Sequence, residues 1–198
     1  YNMKFRNYKE HNEPFNYYTF DNFLCEKELE SFRNIDLNKN ASNLTGERTD
    51  NKNRYYVNEK NKNEHFVTER LIDFFTRKET INFFQEKHNL NLNHTYLRVE
   101  LINDNEGSFL KPHKDIKEKL ISLLVYINET DEDENIGTSL YDKNLEFVKT
   151  VPFKNNFGFY FLPGDDTWHG LEKIKVKKDR KMIMINYCTF KTDFKVQK

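Results

Sequence analysis

The side chains best suited to chemistry lie between residues 113 and 180. His113 and Asp115, in "KPHKD", are one residue apart, so on a strand both point to the same face. Imidazole nitrogen and carboxylate oxygen are both metal donors. The pair alone carries little information. With 6 His and 32 Asp and Glu among 198 residues, random placement produces about one such spacing. A second instance, His11-Asn12-Glu13, lies in a polar stretch without strand character. What joins the pair must decide its meaning.

His169 follows the Pro-Gly turn of "FLPGDDTWHGLEKI", at the start of a predicted strand. Two imidazoles and one carboxylate form the facial set that holds Fe(II) and leaves three positions open. Arg180 opens the apolar run "RKMIMINYC". A guanidinium at the edge of an apolar interior requires an anion, and its planar fork matches a carboxylate. Tyr126, near the end of "SLLVYIN", can present its hydroxyl to the same cavity. Asp165 and Asp166 read as turn residues, and Trp168 reads either as a wall of the substrate cavity or as core.

These groups need a scaffold. From residue 94 the chain alternates: in "HTYLRVELIND", Tyr96, Arg98 and Glu100 share one face, and Leu97, Val99 and Leu101 the other. About eight short strands follow one another to residue 190, the pattern of an antiparallel sandwich or barrel. We therefore expect a mainly β fold with N-terminal helices and a double-stranded β-helix (jelly-roll) core. It would form one domain over 1–198, with 1–93 as helical support and polar loop and 94–190 as the core. A helix is expected within Thr19–Ile35, capped by Asp21 or Asn22. A helix pair or one kinked helix is expected over Phe66–Asn89. The stretch Asp36–His65 is very polar and reads as a long loop with one short strand at Tyr55–Val57. Such a loop is either a lid or unstructured, and as a lid it would offer Arg54, Tyr55 and Tyr56 to substrate.

Composition narrows the partners. The 32 basic and 32 acidic side chains cancel, so no global field favours nucleic acid or an anionic membrane. The basic run Lys173–Lys178 reads as a solvated edge. Two distant cysteines, Cys25 and Cys188, point to no disulfide framework, and a cytoplasmic location is the expectation. No apolar run reaches the roughly 20 residues of a membrane span.

His113-x-Asp115, His169 and Arg180, set within "KPHKD", "LISLLVYIN", "NIGTSLY", "FYFLPGDDTWHGLEKI" and "DRKMIMINY", resemble the Fe(II)- and 2-oxoglutarate-dependent dioxygenases, in particular the prolyl-hydroxylase-like branch. The resemblance spans roughly Thr95–Phe190. It implies His113, Asp115 and His169 as iron ligands, and Arg180 and Tyr126 as contacts of the distal carboxylate of 2-oxoglutarate. It also implies O2 as oxidant and ascorbate as an accessory reductant. The product would be a hydroxylated C–H bond, on a prolyl or other amino-acid residue of a peptide or protein, or on a small molecule. Arg54, Tyr55 and Trp168 are the candidate substrate contacts. Thr138 stands where the family often has the second glycine of a pair. Two other readings stay open: a cupin-type metal enzyme, though the chain lacks a His-x-His, and a catalytically silent jelly-roll binding module.

Overall fold

The computed structural model describes residues 3–40, 42–129, 132–172, 175 and 179–196. Most of the basic run Lys173–Lys178 lies outside the described residues. In chain order the elements are β1 (Arg6–His11), β2 (Tyr17–Asp21), α1 (Glu26–Arg33), α2 (Leu37–Asn40), β3 (Ser42–Leu44), β4 (Thr49–Tyr56), α3 (Phe66–Thr76) and α4 (Lys78–His88). There follow β5 (Tyr96–His113), β6 (Lys119–Ile127), β7 (Thr138–Tyr141), β8 (Phe147–Val151), β9 (Phe157–Phe161), β10 (His169–Leu171), β11 (Arg180–Cys188) and β12 (Phe194–Lys195).

The strands join in one curled antiparallel sheet, ordered β1-β2-β9-β6-β11-β5-β10-β7-β8, with β4 also pairing β5. The curl follows from β5. Its first half pairs β11 through Arg180↔Asp104 to Cys188↔Tyr96, and its last residues pair β10. They are continuous through Gly107, whose φ of 83° is open to glycine at no steric cost. The fold is a jelly-roll core carrying helices on one side.

Strand alternation sorts the side chains into two cores. Leu97, Val99 and Leu101 of β5, Leu123 and Val125 of β6, and Ile183 and Ile185 of β11 pack with helix residues Phe32, Leu71, Phe75 and Phe84. The opposite faces contribute Ile102, Tyr126, Phe159, Phe161 and Met182 to an inner core between the layers of the curl. Each fully buried apolar side chain of this size contributes about 1.5–3 kcal/mol, so the helical face anchors the sheet that carries the inner residues.

The N-terminal third corrects the sequence reading in two places. The strand β2 runs to Asp21, and Asn22 turns the chain with φ 47°. The helix therefore starts only after Cys25, whose N–H donates to the Glu28 carboxylate at 2.8 Å. The aromatic run "YYTF" suits a strand flanked by β1 and β9 better than a helix. Only the last part of the polar stretch 36–65, from residue 57, carries no helix or strand; up to Tyr56 the stretch is not a loop. It folds as α2 and the β3–β4 hairpin, and β4 pairs β5 from Thr49↔Leu110 to Tyr56↔Glu100. Part of its hydrophilicity, at Lys52 and Arg54 of β4, belongs to a cavity wall, while residues such as Asn43, Glu47 and Glu59 face solvent. Over 66–89 there are two helices, separated at Arg77 by an extended backbone (φ −73°, ψ 147°). Among the described residues no helix is long and apolar enough to cross a membrane.

Candidate metal centre and its cavity

His113 ends β5 and His169 begins β10, and the two face each other in register. Gly170 permits this approach, since a Cβ there would stand 2.7 Å from the Leu110 carbonyl oxygen. The two rings lie 4.3 Å apart between centroids. Asp115 completes the group, with one ligand atom of each residue within 4.8 Å of the others.

The hydrogen bonds settle which nitrogens are available. His113 Nδ1 lies 2.9 Å from the Lys111 carbonyl, and His169 Nδ1 lies 3.0 Å from that of Thr167. A carbonyl only accepts, so each Nδ1 carries the proton and each Nε2 keeps a bare lone pair. Burial, followed by repulsion from His169, pulls the His113 pKa down to about 3. Burial likewise lowers that of His169. Both rings are therefore neutral donors at neutral pH, the form a metal needs. Burial pushes the Asp115 pKa up. The Lys119 ammonium and the adjacent His169 outweigh it and, with the hydrogen bonds below, hold the pKa at about 2. Lys119 Nζ donates to one carboxylate oxygen at 2.6 Å and Ser122 Oγ to the other at 2.5 Å. Each oxygen retains a further lone pair. The donor set of two neutral imidazoles and one fixed carboxylate fits a divalent cation such as Fe(II).

The triad borders a cavity of about 340 Å³ that also reaches Arg180, Thr138, Leu124, Phe161, Met182 and Met184. Arg180 is buried between the rings of Tyr126 and Phe153, its guanidinium carbon 5.4 and 5.5 Å from their centroids. Its Nε donates to the Ile136 carbonyl and its Nη1 to Asp104, each at 2.5 Å. The other oxygen of Asp104 faces Lys52 Nζ at 3.4 Å. Nη2 has no partner among the described residues. Tyr126 is fully buried but does not line the cavity. Its hydroxyl lies 2.5 Å from Thr138 Oγ1 and accepts the Thr138 N–H at 3.0 Å. The residue of this pair that lines the cavity is Thr138.

The candidate substrate residues separate. Arg54 lines the cavity. Tyr55, the next residue on β4, belongs to the helix-side core and donates its hydroxyl to Glu64 at 3.0 Å. Trp168 stands beside the cavity, its ring under the ammonium of the lining residue Lys114 at 5.1 Å. Reading the sequence alone missed Lys52, Asp104, Thr138, Lys119 and Ser122. A signal existed for Asp104, which continues the Arg98, Glu100, Ile102 face of "RVELIND".

No protein-family model matches the chain, and no curated protein matches its sequence. Solved structures match its fold. A prolyl-4-hydroxylase from Pseudomonas putida superposes with a TM-score of 0.68 at 11% identity, covering 88% of this chain and 93% of that one. The chain shares the fold of this prolyl-4-hydroxylase. A Trichoplax adhaerens prolyl hydroxylase in complex with a hypoxia inducible factor oxygen degradation domain peptide fragment has TM-score 0.61 and 15% identity, covering 87% and 83%. A viral collagen prolyl hydroxylase from Paramecium Bursaria Chlorella virus-1, in a 2-oxoglutarate complex, has TM-score 0.55 and 18% identity, covering 86% and 94%. In this fold the three candidate ligands sit on strand ends and the loop between β5 and β6.

Proposed function

We propose that this chain is an Fe(II)- and 2-oxoglutarate-dependent dioxygenase that hydroxylates an unactivated C–H bond. The observation that carries this is the pair of neutral imidazoles, each with its Nε2 bare, facing each other beside an ionised carboxylate. Bound there with 2-oxoglutarate and O2, Fe(II) would supply the oxidant for C–H hydroxylation, with 2-oxoglutarate leaving as succinate and carbon dioxide. Ascorbate would serve only to restore the reduced metal.

The chain's own residues supply position and exclusion of water. His113 is oriented by a carbonyl of its own strand, His169 by the Thr167 carbonyl just before β10, and Asp115 by Lys119 and Ser122. Arg180 is the candidate partner for the distal carboxylate of 2-oxoglutarate. Support for this comes from its unpartnered Nη2 and from the excess of cations, Arg180 and Lys52, over the single anion Asp104. The hydroxyl of Thr138, hydrogen-bonded to that of Tyr126, is a neutral group lining the same cavity. Phe161, Leu171 and Met184 line the cavity with apolar surface, which limits water where a reactive oxidant forms. Substrates in keeping with the fold are a prolyl or other amino-acid residue of a peptide, or a small molecule. The peptide complex of the Trichoplax neighbour favours the former.

The test is metal loading. Wild-type protein given Fe(II) and 2-oxoglutarate without oxygen should develop the visible charge-transfer absorption of the chelate. His113→Ala and His169→Ala should each lose both the band and tight Fe(II) binding, because no nearby nitrogen replaces the one removed. Near-normal iron affinity in both variants would overturn the assignment. Asp115→Ala should weaken binding less completely, since water or chloride can occupy a carboxylate's place.

A further inference from the structure

The cavity is far more basic than the chain as a whole. The 32 basic and 32 acidic residues cancel, yet seven Lys and Arg side chains line this one cavity against a single carboxylate, Asp115. Two more carboxylates stand behind the wall, and each is shared by two cations. Asp104 is held by Arg180 and Lys52. Glu100, fully buried, is held by Arg54 at 2.9 Å and by Arg98. Each trio carries one positive charge that no side chain in it offsets.

The co-substrate accounts for only one of these trios. A divalent metal on two neutral imidazoles and Asp115 leaves one positive charge. The two carboxylates of 2-oxoglutarate would offset that charge and the charge of the Arg180–Lys52–Asp104 trio. Lys119 stays beside Asp115 at the metal end, and away from it the trio of Arg54, Arg98 and Glu100 then remains. Its arginines line the cavity and are partly accessible, while the glutamate beneath them is not. Arg54 Nε is buried with no hydrogen-bond partner among the described residues, and a buried donor of this kind calls for an acceptor. Arg48, also in the lining and exposed, has no ion-pair partner among the described residues.

We propose that the primary substrate carries an oxyanion, a carboxylate or phosphoryl group, and that Arg54 and Arg98 bind it across Glu100. The proposal rests on the co-substrate reading above for the assignment of Arg180. Two guanidinium forks from adjacent strands suit the bidentate geometry of such a group. Their place also sets a length. Arg98 and Ser122 pair with Asn186 from opposite sides, so they are two strand spacings, about 10 Å, apart. Ser122 holds Asp115. The reacting C–H therefore lies on the order of 10 Å from the anion, within a cavity whose 340 Å³ must also hold the co-substrate. This fits a group of side-chain size with its charge remote from the oxidised carbon.

The experiment titrates inorganic phosphate and acetate calorimetrically into protein loaded with Mn(II) and saturated with 2-oxoglutarate. At least one probe should bind wild type, and the tighter one names the group as phosphoryl or carboxylate. Arg98→Gln and Arg54→Gln should each weaken that probe tenfold or more, while 2-oxoglutarate affinity stays within twofold. Glu100→Gln should tighten it, because both forks lose their internal anion; a misfolded variant cannot produce that result. The proposal is overturned if neither probe binds, if probe and 2-oxoglutarate compete for one site, or if both arginine variants bind as wild type does. If 2-oxoglutarate itself fails to bind, the co-substrate reading falls, and the same titrations without it still report on Arg54 and Arg98.

Discussion

Replacing Arg180 by methionine tests its observed pairing with Asp104 and its proposed binding of 2-oxoglutarate separately. Arg180 is 2% exposed and its partner Asp104 0%, so the pair is dehydrated. Stripping one partner from a buried ion pair costs about 3–5 kcal/mol. Asp104 would keep Lys52, but at 3.4 Å instead of the 2.5 Å of Arg180, which places the loss at the lower end, about 3 kcal/mol. Methionine retains much of the contact with Tyr126 and Phe153. For a chain of this length each kcal/mol moves the melting temperature about 2–4 °C, so Arg180→Met should melt about 6–12 °C lower. If the guanidinium also binds the distal carboxylate of 2-oxoglutarate, calorimetric affinity for 2-oxoglutarate on Mn(II)-loaded protein should fall about 100-fold, equivalent to about 2.7 kcal/mol. Metal affinity should be unchanged, because no metal donor is touched. A melting point lowered as expected with 2-oxoglutarate affinity within twofold of wild type would show that Arg180 serves Asp104 alone. An unchanged melting point would show that Lys52 by itself satisfies Asp104.

Three further outcomes follow from named contacts. Thr138→Val should weaken 2-oxoglutarate binding more than Tyr126→Phe, because Thr138 lines the cavity while Tyr126 acts through it; the phenylalanine variant should instead lose about 1 kcal/mol of stability for the acceptor removed from the Thr138 N–H, read by chemical denaturation. Burial pushes the Cys188 thiol up to about 11, leaving a thiolate fraction of about 10⁻³ at pH 8. Iodoacetamide should therefore label half-buried Cys25 in the native protein and spare Cys188, as peptide mass mapping will show. Burial lowers the pKa of His88, whose ring lies 2.8 Å from the Tyr160 hydroxyl. The unfolded chain thus takes up this proton first, so the contribution is complete above pH 6.5 and is lost as pH falls below it. His88→Gln should lose less stability than wild type between pH 7 and pH 5, and an equal or greater loss refutes the sign.

How much of this was legible in the sequence depended on which rule governed each segment. Where alternation ruled, the reading carried through. The Arg98, Glu100 face and the Leu97, Val99, Leu101 face of β5 divide between the cavity and the helix-side core as the period of two requires. His113 and His169 could be singled out because ligand chemistry restricts residue types sharply, and the structure brings them to paired positions on neighbouring strands. Long-range pairings carry no local signature, so the sequence alone gave no sign that Asp104 would meet both Arg180 and Lys52. The hairpin of β3 and β4 was hidden for a different reason. Hydrophilicity was read as exposure, yet Lys52 and Asn53 are 4% and 5% exposed. Successive residues of β4 face opposite ways: Lys52 and Arg54 line the basic cavity, while Asn53 donates to Asn38 at 2.7 Å, a carbonyl oxygen shared with Asn103 at 2.8 Å. At Lys52 and Asn53 both faces of this strand are polar, because one meets the basic cavity and the other closes an asparagine network, and only at Tyr55 does the second face turn apolar. A hydropathy pattern cannot separate such a strand from a loop, since the polar partners that make its burial tolerable come from elsewhere in the chain. A strongly polar segment rich in Lys, Arg and Asn beside a predicted β core is therefore worth testing as a cavity wall before it is set aside as a loop.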